Sequence, residues 1–274
     1  MKSVVDVSTS DMPVDFDHKK NLHTVTGPRE ALPFILEGDV PRSVLDVGCG
    51  VGTWLAAFEE LGVTDIFGLD GVDIPRESLL IDKGHFKTLD LSKPWSVGRR
   101  FDLIIFLEVA EHLPSLSSAD FVAALCSHSD RIIFSAGCPK QPGQNHINCQ
   151  WPEFWQDLFN HQGFLCEDSI RPTIWDNKGI EVWYRQNIFS ARRSEKSGSE
   201  PPIRGMVHPD FLPMFLDVAA SEEEESVIVR TRKEILSGGA GADGHWIVGL
   251  DDYFKMLFRA IVARITRKTG RPSL

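Results

Sequence analysis

The sequence predicts an open, doubly wound α/β sheet, mostly parallel and seven-stranded with an antiparallel last strand, followed by a helical C-terminal extension. Three observations predict it. From residue 43 onward, short apolar runs alternate with helical stretches, as in repeated strand–helix–strand units. The stretch "SVLDVGCGVGTW", Ser43–Trp54, passes from an apolar run through three closely spaced glycines into a helical pattern. The last two strand candidates have too little chain between them for a helical crossover, so they are expected to pair antiparallel. In such a sheet the ligand lies outside the carboxyl ends of the strands.

Taken in order, residues 1–42 read as an N-terminal helical or cap segment, and the domain proper spans 43–193. "SVLDVG" is the first strand, and "TWLAAFEELG" is a helix with Trp54, Leu55, Phe58 and Leu61 on one face and Gly62 as its stop. "DIFGLD", "FKTLDL", "FDLIIFLEV" and "DRIIFSAG" supply strands two to five. "WPEFWQDLFNHQGF" reads as a helix closed by Gly163, with Trp151, Phe154, Trp155, Leu158 and Phe159 at helical spacing. "FLCEDSI" and "EVWYRQNIFSA" are the final strand pair. Residues 194–274 form a linker and helical extension. "SEKSGSEPP" and "GGAGADG" are flexible by composition, and "DDYFKMLFRAIVARITRK" is an amphipathic helix with a basic face.

The chain has 274 residues, 42% hydrophobic and 25% charged, enough to bury a full core. Five cysteines (Cys49, Cys126, Cys138, Cys149, Cys166) have no paired spacing, which argues against a disulfide framework and suits a reducing cytoplasm. No stretch reaches 18 consecutive apolar residues, and the N-terminus lacks the apolar run of a signal peptide. The net charge is −10, yet residues 251–274 carry six basic against two acidic side chains, leaving the remainder at −14. An acidic body disfavours nucleic acid as a partner. The basic helix is expected to dock on its parent domain or a partner subunit, in preference to peripheral attachment to an anionic membrane. A homo-oligomer is left open.

The glycine turn does not suit a dinucleotide. Gly48, Gly50 and Gly52 are spaced G-x-G-x-G, and Thr53 stands where the third glycine of a pyrophosphate fingerprint would fall. Asp46 in the preceding strand would repel a pyrophosphate but attract a cation. The favoured ligand therefore carries positive charge and no phosphate. On these residues "VLDVGCGVG" resembles the first motif of the class I S-adenosylmethionine-dependent methyltransferases, whose fold is Rossmann-like. The resemblance implies S-adenosylmethionine as cofactor, held by Asp46, Gly48, Cys49 and Gly50. It also implies ribose contacts from Asp70 with Gly71, adenine contacts from Asp90 and Leu91, and Leu107 and Glu108 beside the reacting methyl.

Methyl transfer from a sulfonium is an in-line displacement, so the protein must align the acceptor and handle its proton. Glu108, Glu111 and His112 have the spacing E-x-x-E-H, and His146 follows the fifth strand in "QNHINCQWPEFW". Glu108, His112 and His146 are the catalytic candidates. This combination resembles the ubiquinone-biosynthesis O-methyltransferases and the small-RNA 3′-terminal 2′-O-methyltransferases. The second resemblance implies that Glu108, Glu111, His112 and His146 hold a divalent metal such as Mg, Mn or Zn. The residues alone leave a metal-free role for His112 or His146 equally open. "SAGCPKQPGQNHINCQWPEFWQDLF", "WYRQNIFSA" and "VHPDFLP" are similar to sugar and polysaccharide-biosynthesis methyltransferases. That likeness implies a small-molecule acceptor of sugar or polyol type, with "GCPKQPGQ" as a lid and Lys140 and Gln141 as acceptor contacts. Three other readings stay open: a metal-independent N-methyltransferase, an RNA 2′-O-methyltransferase, and a non-catalytic cofactor-binding subunit.

Overall fold

The computed structural model describes residues 16–18 and 24–214, all within one compact unit bounded by Met1 and Val218. The seven strands are β1 (Ser43–Val47), β2 (Asp65–Asp70), β3 (Phe86–Thr88), β4 (Leu103–Leu107), β5 (Arg131–Ser135), β6 (Phe164–Glu167) and β7 (Phe189–Arg193). They form one sheet in the order β3-β2-β1-β4-β5-β7-β6. β1 to β5 are parallel, while β7 runs antiparallel to both β5 and β6. The chain leaves β1 toward β2 on one side and returns to β4 on the other. The crevice where strand order reverses therefore opens above β1 and β4.

Side-chain alternation sorts the apolar residues onto two faces. Along β4, Ile104 and Phe106 join a layer with Phe121, Phe134, Trp155 and Phe159, whereas Leu103, Ile105 and Leu107 face Leu55, Phe58, Ile133 and Ile174. β1 and β4 are buried at every position, as befits central strands covered on both faces. The covering helices are α1 (Thr26–Leu36), α2 (Thr53–Glu60), α3 (Ser118–His128), α4 (Pro152–His161), α5 (Ile170–Ile174) and α6 (Val182–Asn187). Among the described residues no helix is long and apolar enough to cross a membrane.

Four expectations are corrected. Leu61 lies just past the end of α2 and is 50% exposed, so the buried face of that helix ends at Phe58. Trp151 precedes α4 and stays on the surface, leaving Trp155 and Phe159 as its core residues. The expected strand over 181–191 splits, because Val182–Asn187 is helical and only Phe189–Arg193 pairs with the sheet. Short helices α5 and α6 thus fill a connection judged too short for them, and the antiparallel pairing comes from the direction in which β7 enters.

The fourth concerns residues 194–211, assigned by composition to a linker but in fact docked. Glu200 accepts from Asn160 Nδ2 (2.6 Å) and the Cys166 amide (2.9 Å), and the Ile203 amide donates to Gln156 Oε1 at 2.7 Å. The His208 amide donates to Gln186 Oε1 at 2.7 Å, and buried Arg185 pairs with Asp210 at 3.0 Å. Residues 215–274, including the basic C-terminal stretch, lie outside the described residues.

Candidate active site

At the end of β1 the chain must turn sharply beneath the loop that follows β4. Gly48 has φ +81°, and a Cβ there would meet Val109 Cγ2 at 2.3 Å, so only glycine lets the two loops close over the switch point. The Gly48 and Cys49 amides donate to Leu69 O at 2.7 and 2.9 Å, tying the turn to β2. The next amide, Gly50, donates to Asp70 Oδ2 at 2.8 Å, while that of Val72, beyond Gly71, donates to Asp70 Oδ1 at 2.9 Å. Asp70 is thereby fixed at the mouth of the crevice.

Asp46 lies beneath it, 3% exposed, and its Oδ2 has no hydrogen-bond partner among the described residues. Burial, followed by the charge of Asp70, holds its carboxyl well above the usual carboxylate range. Two acids at adjoining strand ends, one with an orphaned oxygen, form a donor set that fits a cationic ligand. Leu91 is buried, and the Asp90 carboxylate caps its own turn. It accepts from Ser92 N (3.0 Å) and Ser92 Oγ (2.5 Å) and pairs with Lys93 at 3.0 Å.

The acceptor half lies above β4 and β5. Leu107 ends β4 in the core, and Glu108 follows with φ +54°, a left-handed conformation unusual for a glutamate. Its amide reaches Ser135 O at 3.0 Å and Ser135 Oγ at 3.1 Å. Ala110–His112 form one 3-10 turn rather than the start of a helix, which carries Glu111 and His112 inward together. The segment after β5 closes on this turn: the Ile147 and Asn148 amides donate to Glu111 O at 2.8 and 3.0 Å.

Glu111, His112 and His146 converge, with one ligand atom from each lying within 4.8 Å of the others. Glu111 is fully buried, its carboxyl makes no well-formed hydrogen bond among the described residues, and its polar neighbours are the Gly137 backbone and the Glu108 carboxyl. Burial and the adjacent Glu108 push its pKa far upward. Burial, together with the charge of His146, brings His112 down to about 4, and burial also lowers His146. The His146 Nδ1–H donates to Gln141 O at 2.8 Å, which leaves Nε2 with its lone pair. A Cβ on Gly143 would sit 2.0 Å from that Nε2, so a bare glycine keeps the ring's exit open.

The fourth expected ligand, Glu108, is not in the convergent set. Its carboxylate accepts from Gln141 Nε2 at 2.7 Å and from Asn187 Nδ2 at 3.1 and 3.3 Å. Gln141, expected to touch the acceptor, is instead buried, and its Oε1 accepts from Asn187 Nδ2 at 2.9 Å and the Cys138 amide at 3.2 Å. Asn187 and Gln186 were not singled out from the sequence. The available signal was a pair of adjacent amides leading into an apolar strand, since buried amides must find partners.

A methyltransferase domain model matches residues 21–171, which contain the glycine turn, both acids of the cofactor half and the whole convergent set. The chain belongs to this family. It is a class I S-adenosylmethionine-dependent methyltransferase, with the sheet order and glycine turn already described. The methyltransferase is similar in fold to magnesium protoporphyrin IX methyltransferase from Synechocystis PCC 6803 with bound S-adenosylhomocysteine, at 22% identity over 62% of this chain and 82% of that one, TM-score 0.46. It is also similar to DesVI of Streptomyces venezuelae, at 12% identity over 62% and 92% of the two chains, TM-score 0.45. A third likeness is to the methyltransferase domain of bacterial CtHen1-C, at 14% identity over 62% and 98%, TM-score 0.44. No curated protein matches the chain.

Proposed function

We propose that this methyltransferase methylates a hydroxyl of a sugar or other small polyol-like metabolite and that Glu111, His112 and His146 hold a divalent cation beside that hydroxyl. The observation that carries this reading is the convergence of one buried carboxyl and two imidazoles within 4.8 Å at the carboxyl end of β4. Metal–ligand bonds of about 2.1 Å place the ligands of a tetrahedral ion about 3.4 Å apart, so the set closes on an ion if its most distant atoms draw together by about 1.4 Å. Carboxylate and imidazole together suit Mg, Mn or Zn. A cation held there would lower the pKa of an acceptor hydroxyl and set its oxygen in line with the methyl, which S-adenosylmethionine supplies from its sulfonium.

The chain's own residues do the rest. Asp46 and Asp70 fix the cationic nucleoside above β1 and β2. Glu108, clamped by Gln141 and Asn187, presents a fixed negative edge at the end of β4. His146, with Nδ1–H committed to Gln141 O, keeps Nε2 as the lone-pair atom toward the acceptor. The depressed pKa of His112 keeps that ring neutral at physiological pH, with a lone pair available to a cation.

The test is methyl uptake from labelled S-adenosylmethionine onto a panel of sugar nucleotides and polyols, with and without a chelator. Uptake on a vicinal diol that the chelator abolishes and Mn or Mg restores is expected. Uptake on an amine that survives chelation would replace this reading with metal-independent N-methylation.

A further inference from the structure

The short N-terminal segment Phe16–His18 lies across both halves of the site. The His18 Nε2 is 3.4 Å from Asp70 Oδ1, with the imidazole only 15% exposed. Two residues earlier, the Phe16 ring packs edge-on against His112 with centroids 4.9 Å apart, and against His18 at 4.8 Å. Between them Asp17 exchanges two bonds of 3.1 Å with the side chain of Gln144, its amide donating to Oε1 and its carbonyl accepting from Nε2. Three consecutive residues thus touch the ribose-side carboxylate, the loop that carries His146, and the acceptor-side His112.

The donors already on Asp70 give this placement a consequence. A carboxylate offers about two acceptor positions on each oxygen. Oδ2 receives the Gly50 amide, whereas Oδ1 receives the Val72 amide and also faces His18. A ribose diol gripping both oxygens needs one vacant position on each. On Oδ1 that position is the one His18 takes. At 3.4 Å this contact is longer than the 2.9 Å bond from the Val72 amide, so of the two partners of Oδ1 it is the one that a ribose hydroxyl would replace.

Resting on the assignment of Asp70 as the ribose acid, we infer that His18 competes with the cofactor ribose for Asp70, and that Phe16 transmits its displacement to His112. Cofactor binding then moves His18 off Asp70 and, through the two-residue connection, draws the Phe16 ring away from His112. The acceptor side opens once the cofactor is seated. His18 is a residue that sets cofactor affinity, and Phe16 is a residue that links the two halves.

Calorimetric titration of the full chain with S-adenosylhomocysteine tests this with wild type, His18→Ala and Phe16→Ala, each also melted to confirm an unchanged fold. His18→Ala should bind three- to tenfold more tightly. Phe16→Ala should tighten binding about two- to fivefold although Phe16 has no contact with Asp70, because the segment's hold on His112 is released. Weaker binding by His18→Ala would overturn the inference by making His18 a ligand contact, and unchanged affinity in both variants would place the segment off the binding path. Wild-type protein that binds no S-adenosylhomocysteine would remove the cofactor assignment itself, a result distinct from either variant outcome.

Discussion

The two halves of the crevice are built on opposite plans. On the cofactor side, backbone does the positioning: amides of Gly50 and Val72 hold Asp70, and amides of Gly48 and Cys49 hold the turn to β2. On the acceptor side, side chains do it: Gln141 and Asn187 hold Glu108, and Gln141 bonds both to that carboxylate and, through its carbonyl, to His146. A backbone frame tolerates only glycine at its tightest point but is indifferent to most other side chains. A side-chain frame can be retuned one residue at a time. The cofactor half is therefore suited to a fixed ligand and the acceptor half to a variable one.

If the halves are separable, His146→Ala should give the largest effect. Methyl transfer to an acceptor found in the polyol screen should fall at least about 100-fold, in the range expected for losing a positioned acid–base or ligand group. Affinity for S-adenosylhomocysteine should stay within about twofold, because among the described residues the contacts of His146 are with Gln141, His112 and Cys149. Equal loss of both, read by initial rates and calorimetry, would break the comparison.

Asp70→Ala is the converse experiment. It removes a charged acceptor for ribose hydroxyls and strands the Gly50 and Val72 amides, and bonds to a charged group are worth roughly 1.5–3 kcal/mol each. Affinity for S-adenosylhomocysteine should drop about 100-fold. An unchanged dissociation constant would mean that the ribose is held elsewhere and that the backbone frame serves only the fold.

The same contrast explains how much could be read beforehand. The succession of strands and helices, the glycine turn and the place of Asp70 at the end of β2 were legible because the interactions that build them join residues close in sequence or strands in standard register. Gly50 and Asp70 are separated by one strand–helix–strand unit of conventional length. Glu111, His112 and His146 were legible as chemistry-bearing types at a recognisable spacing. The clamp on Glu108 was not, since Asn187 lies 79 residues away and reaches it from a short helix read as part of a strand. Nor did composition reveal that "SEKSGSEPP" is docked. Polar residues usually mark solvated chain, yet Glu200 and Ser197 here satisfy the exposed ends of α4 and β6. Asp90 carries a local role that its offset alone did not show, since its carboxylate accepts from Ser92 within its own turn.

Asn187→Ala sharpens the comparison within the acceptor half. It removes one of two amide donors from the Glu108 carboxylate and leaves Gln141 Oε1 with one donor fewer. Turnover should fall about tenfold, matching one lost bond to a charged group, with cofactor affinity unchanged. Asn187→Asp should do worse than alanine, because it sets a second negative charge against Glu108 in a buried site. A loss confined to thermal stability, with full turnover in the surviving fold, would reduce Asn187 to a packing residue.

The smallest effect expected is at Cys149. Its sulfur lies 3.6 Å from His146 Nδ1, near enough to invite a place among the metal ligands. Burial and the charges of Glu111 and Glu108 push the thiol up to about 12, so at neutral pH it carries its proton and is a poor ligand. The Nδ1 beside it is already committed to Gln141 O. Cys149→Ala should therefore change turnover and Mn affinity by less than about twofold. A tenfold loss of Zn affinity with Mn affinity intact would show that the cation displaces the thiol proton, and would make sulfur a fourth ligand in place of Glu108. The acceptor half would then select a softer metal than its carboxylate and imidazoles alone imply.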